Sequence, residues 1–136
     1  MASPARADGY LARHTLTMDG VADMASERMT EILDAIARAR VADKRMRLGE
    51  SLGDDVGVQV AFQAILHNLF VIGEAVKEIP AEILEQDPEI PWSEIAGLRD
   101  VIGPNYPRIV PASIHRSVEE ELGPLDLAIR RLRANL

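Results

Sequence analysis

Six apolar residues, Val58, Phe62, Ile65, Leu69, Ile72 and Val76, recur at alternating steps of four and three. An α-helix brings all six to one side, and such a seam is what helices use to pack lengthwise against one another. Asp54 and Asp55 precede the run, where carboxylates cap and complement a helix N-terminus. Pro80 closes it, because proline donates no hydrogen bond to a continuing helix. Leu66 and Phe70 add a second apolar flank, which places this helix centrally or in a dimer interface.

The rest of the chain follows the same period. Met29, Ile32, Leu33 and Ile36 share one face of a helix predicted over 22–42. Residues 43–53 are polar and end in Ser51-Leu52-Gly53, a predicted loop. A short helical piece is expected within 81–87, and Pro88 and Pro91 frame a turn. Pro91-Trp92-Ser93-Glu94 opens a helix predicted over 92–102. Gly103-Pro104 should end it, leaving an extended or turning loop over 103–111 that also holds Pro107 and Pro111. A last helix is expected from Ala112 or Ser113, striped by Ile114, Val118, Leu122, Leu125, Ile129 and Leu132, with a kink at Gly123-Pro124. Residues 1–20, interrupted by Pro4, Gly9 and Gly20, are expected to be a flexible tail, and 21–136 a single helical domain. Three long helices and a short one make an all-α, antiparallel four-helix bundle the expected fold class.

Composition narrows the chemistry. Aromatic residues are only 4% of the chain, so Leu, Ile, Val, Ala and Met must build the core, which suits packed helices. With no cysteine, disulfides, thiol catalysis and thiolate metal sites are excluded. Three dispersed histidines, His14, His67 and His115, have no ligand spacing, so neither a metal nor another cofactor is expected. The N-terminal stretch has no apolar run of a secretory signal, and no run approaches 18 apolar residues, so a cytoplasmic protein without a membrane span is expected. A net charge of −7 weighs against a broad grip on nucleic acid phosphates. It leaves room for a small basic cleft, and arginines do recur late, from Arg99 to Arg133.

Two stretches go beyond generic helix: Asn68-Leu69-Phe70-Val71-Ile72-Gly73-Glu74-Ala75, and Pro88 through Asp100, reading PEIPWSEIAGLRD. In order and separation they resemble the HepT family of HEPN-domain toxins over roughly residues 25–132. The resemblance implies an antiparallel helical bundle that pairs as a homodimer, with an Arg-x4-His-x-Tyr motif from each chain meeting at the dimer cleft. It implies a metal-independent ribonuclease toxin, and a partner antitoxin of the minimal nucleotidyltransferase (MntA) type that transfers AMP to the motif tyrosine.

Metal-free RNA cleavage must activate the ribose 2′-hydroxyl and protonate the leaving oxygen, work suited to a histidine. A forked arginine steadies charge on the phosphate. On that alignment Arg99 is the motif arginine, Asp100 its polar neighbour and Tyr106 the modification target. The histidine position holds Pro104, which has no ionisable side chain, so the acid–base group is missing and impaired catalysis is expected.

Each residue also has a plainer reading. Arg99 and Asp100 would form a structural ion pair, and Tyr106 would be a packed loop residue. His115, with six residues between it and Arg108 (a loose Arg-x6-His spacing), offers an alternative base, or else packs at the start of the last helix. Asn68 and Glu74 would support Arg99 from behind, or simply bridge helices. His67 would be a satisfied or interface residue, and Gly73 would allow close helix approach. The non-catalytic alternative is a dimeric protein that binds a nucleotidyltransferase.

Overall fold

The computed structural model describes the backbone of residues 4–136 and the side chains from residue 20 onward. Its elements are α1 (Pro4–Leu52), α2 (Asp55–Lys77), α3 (Ala81–Leu84), α4 (Trp92–Ala96), α5 (Leu98–Asn105), a 3₁₀ turn (Tyr106–Arg108) and α6 (Pro111–Ala134). The fold is an all-α bundle, and no strand occurs among the described residues.

Helix α1 is longer than predicted at both ends. The expected loop at 43–53 is helical to Leu52, because the buried stripe Met29, Ile32, Ile36, Ala39 continues through Ala42 and Asp43 to Met46. A buried aspartate in the stripe disguised that continuity. The backbone of residues 4–19, expected as a tail, runs on into the same helix. The helix stops where Gly53 takes φ +68, a left-handed conformation that glycine adopts without steric cost. Asp54 N–H then donates to Gly49 O at 2.8 Å and Gly53 N–H to Glu50 O at 3.3 Å, the paired bonds of a Schellman stop. Asp54 begins α2 at once, its carboxylate accepting from Gly57 N–H at 3.0 Å.

The α1–α2 hairpin is antiparallel. Gly49 lies against Val58 at its closed end, and Arg28 donates to Glu78 at 2.7 Å at its open end. That hydrogen bond is the main cause of an upward shift in the Arg28 pKa, with Glu31 and Glu27 adding attraction. Helix α6 lies antiparallel along α1, in a register marked by His115 beside Asp43, Arg40 beside Asp126, and Arg133 beside Thr30. Phe62, Ile65, Leu69, Ile72 and Val76 of α2, with Ile129 and Leu132 of α6, fill the centre.

Helix α2 is also the one helix among the described residues long and apolar enough, by length and composition, to cross a membrane. Here its apolar seam packs against the other helices.

The predicted helix over 92–102 is two. It breaks at Gly97 and resumes as α5, which runs through Pro104 to Asn105. Pro104 therefore does not end the helix. Gly103 has no Cβ for the proline ring to strike, so it can stay helical. The Asn105 side chain donates to Val101 O at 2.8 Å, and both Gly103 and Pro104 face open solvent. Only Ile109 and Val110 are extended, so most of the expected loop is helix or 3₁₀ turn. Helix α6 likewise continues through the expected kink, with Pro124 on its exposed side.

Candidate active site

The site is built outward from α2. A Cβ on Gly73 would lie 2.7 Å from Ile95 O and 3.4 Å from the Leu98 Cβ, so only glycine lets the α4–α5 junction rest on the α2 backbone. Trp92 secures the same segment by donating its Nε1–H to Asp87 O at 2.9 Å. The junction fixes where α5 begins, and Arg99 is its second residue.

From there the Arg99 guanidinium reaches back over α2. Its central carbon is 5.3 Å from the Phe70 ring centroid, a cation–π approach. One Nη is 3.8 Å from a Glu74 oxygen, which also accepts from Lys77 Nζ at 3.3 Å. Phe70 and Glu74 are four residues apart and so share a helix face. The Arg99 side chain is 61% exposed, so its fork is supported from beneath and open above. At 3.8 Å the carboxylate steadies the guanidinium electrostatically without consuming a donor. An oxyanion such as a phosphodiester can therefore take the outer N–H groups in bidentate fashion.

The other sequence-derived residues divide around this centre. Glu74 meets Arg99 as the supporting reading required. Asn68 does not: it is buried, donates to Ala64 O of its own helix at 2.8 Å, and lines a groove between α1 and α2. Two residues separate Asn68 from Phe70, about 200° around the helix, which aims it at the α1 side. Asp100 is exposed and forms no ion pair with Arg99. Tyr106 stacks obliquely on Phe62 at 6.4 Å between centroids and remains 39% exposed, so its ring is packed at one side and accessible at the other.

His115 is placed elsewhere. Its Nδ1 lies 2.8 and 2.9 Å from the two oxygens of buried Asp43, and its Nε2 lies 3.2 Å from Glu119. Nδ1 joins α6 to α1, Nε2 faces a carboxylate one turn along α6, and no contact joins His115 to Arg99. Arg108 is exposed at the end of the 3₁₀ turn. His67 lies on the exposed face of α2, three residues from Phe70. No cluster of three or more His, Asp or Glu able to hold a metal exists among the described residues.

Sequence reasoning missed the role of Phe70. It counted Leu66 and Phe70 as a second apolar flank of a central or interface helix; Leu66 is buried in the core, and Phe70 is the platform under Arg99. The Phe70–Glu74 spacing, one aromatic and one acid on a single face, was the available signal.

Residues 32–132 match the family described as ribonuclease HepT-like. The chain is 40% identical over 77 residues to a protein of Caldanaerobacter subterraneus subsp. tengcongensis named as a candidate RNase, covering 53% of this chain and 68% of that one. It is 34% identical over 70 residues to the probable ribonuclease HepT of Thermococcus cleftensis, covering 52% and 64%. A candidate RNase of Methanocaldococcus jannaschii is 51% identical over 43 residues, which is 32% of this chain and only 37% of that relative's length. No solved structure matches. With three quarters of its length spanned by the family's pattern, the chain belongs to the HepT-like ribonuclease family.

Proposed function

We propose that this chain is the toxin-side component of a HEPN/nucleotidyltransferase toxin–antitoxin pair, acting in the cytoplasm as a homodimer, with its ribonuclease step impaired at Pro104. The observation that carries the reading is the state of Arg99. It is held over Phe70 and beside Glu74 with its fork open, while the position that should supply the proton-transfer group is an exposed proline on the same short helix.

Cleavage would proceed by attack of the ribose 2′-hydroxyl on the adjacent phosphorus, with a proton leaving that hydroxyl and another reaching the departing 5′-oxygen. Arg99 can hold the phosphate and offset the charge that develops on its oxygens. Nothing at position 104 can move either proton. A positioned acid–base group contributes about 10²–10⁴-fold to such a step. Arg99 therefore keeps the binding half of the chemistry without the transfer half. Tyr106, exposed at the C-cap of Arg99's helix, remains available to accept AMP from a nucleotidyltransferase partner.

The His115 alternative is disfavoured, because its Nδ1 is held by buried Asp43 of α1, its Nε2 faces Glu119 of its own helix, and it makes no contact with Arg99. The test is cleavage of labelled RNA in EDTA by the natural chain and by Pro104→His. The expected result is cutting by Pro104→His alone, at least about a hundredfold above the natural chain. Equal cutting by the two would refute impairment at this position.

A further inference from the structure

Arg99 holds its fork over the Phe70 ring, and His67 stands exposed one turn back along α2 from that ring. Residues three apart on a helix are neighbours, about 5–6 Å between Cβ atoms, so imidazole and guanidinium flank the same aromatic side chain. His67 and Glu74 are seven residues apart, which sets them in line on one helix face with Phe70 between them in height. Glu74 steadies Arg99 at one end of this strip, and His67 occupies the other.

The course of α5 determines what passes His67. Leu98 lies against Gly73, and Tyr106 lies against Phe62. Helix α5 therefore runs antiparallel along α2, and His67 falls midway between these two contacts, level with the middle of α5. A polyanion that leaves the Arg99 fork toward Tyr106 passes the imidazole.

The surrounding charges favour an anion there. On α2 the residues one turn from His67, namely Gln63, Ala64, Phe70 and Val71, carry no charge. Glu74 is two turns away and shared by Arg99 and Lys77. Helix α1 presents Arg38, which lines the groove with Ala64 and Asn68. Helix α5 presents Arg99 and Asp100, α4 presents Glu94, and both of these acids are exposed. Helix α6 meets α2 through the apolar core. Among the described residues no acid pairs with His67, in contrast to His115. Histidine changes charge near neutrality, and a phosphate beside it favours the imidazolium.

We infer that His67 is a second RNA contact of the site, an imidazolium that takes the phosphate next to the one held by Arg99. The inference rests on the ribonuclease reading above and adds to it a binding group on α2, outside the α5 motif. It assigns no proton transfer in cleavage to His67: binding draws a proton onto the imidazole and holds it there.

The experiment is fluorescence-anisotropy binding of a short labelled oligouridine to the full natural chain in EDTA, at about pH 8 and about pH 6, either side of the unperturbed histidine. Affinity should rise about three- to tenfold toward the acid end, the scale of one charge-assisted contact at an exposed site. The logarithmic salt slope should steepen by about 0.7, the release from one more phosphate of a single strand. His67→Gln stays polar but cannot be charged; it should bind as the natural chain does at the alkaline end and lose both changes. His67→Lys, charged throughout, should bind tightly at either pH. Arg99→Gln should weaken binding at both. Light scattering and far-UV circular dichroism on each variant monitor assembly and folding. If His67→Gln keeps the full acid enhancement, or alters the oligomeric state while RNA affinity is untouched, His67 is no RNA contact and the inference falls while the ribonuclease reading stands. If the natural chain binds no RNA at either pH, or Arg99→Gln binds it equally well, that reading falls and takes the inference with it.

Discussion

Asp43 is 6% exposed, and among the described residues His115 is the side chain that hydrogen-bonds it. Replacing His115 by alanine strands a buried carboxylate, the costly half of breaking an ion pair. Because His115 itself keeps 25% exposure, the penalty is discounted for solvent, and we expect a loss of about 1–3 kcal/mol in urea unfolding. Asp43→Asn, which leaves no charge behind, should cost less than His115→Ala. The reverse order would mean that Asp43 is stabilised by something other than the imidazole. Arg99 makes a different demand. Stacked on Phe70 with its fork open, it has a geometry that lysine cannot copy. In the Pro104→His background, Arg99→Lys should lower cleavage about tenfold or more, on the order of the 1.4 kcal/mol that one lost charge-assisted hydrogen bond represents. Unchanged rates in a labelled-RNA assay would remove Arg99 from the chemistry.

Among the elements, the α4–α5 unit depends on a missing methyl group. A Cβ on Gly73 would sit 2.7 Å from a backbone carbonyl, which no side-chain rotation can relieve. Gly73→Ala should therefore destabilise the fold by about 1–3 kcal/mol, as overpacking does, and shift Arg99 off Phe70. Thermal melts and cleavage in the Pro104→His background read these two effects independently. Pro104 leaves α5 continuous but removes a backbone donor within an exposed helix. Restoring histidine there returns that donor, so Pro104→His should raise stability, by up to about 3 kcal/mol.

Helix ends were the least legible features in the sequence. The α2 seam and the α6 stripe announced themselves by period. The C-terminal part of α1 did not, because Asp43 sits where an apolar residue was expected and Lys44-Arg45 reads as surface. Pro104 pointed to a helix end, since the relief provided by Gly103 and Asn105 depends on backbone geometry that residue type alone does not specify.

For the whole molecule, the bundle was readable because its seams are periodic, and the site was readable in part because motif residues are consecutive on one short helix. What joins helices was not: the Arg99–Phe70 stack and the His115–Asp43 bond link residues 29 and 72 positions apart. The same scale governs RNA binding. With a net charge of −7, and Lys77 the cation that shares Glu74 with Arg99, contact with the backbone must be local. Binding of a single-stranded RNA to the natural chain should fall with salt along a logarithmic slope of about one to two, the release expected from two phosphates. A slope near that of a broadly basic protein would place the RNA on another surface.

Position 104 lies in open space, touching neither the core nor the Gly73 contact that holds α5 in place. Its occupant can change while every helix stays put. Codons for histidine and proline differ by a single base, so on the proposed function one mutational step separates a cutting from a non-cutting form. Selection for foldability is blind to that step. On the proposed function such a step silences the chain without unfolding it, and the way back remains open for as long as Arg99 and its supports are kept.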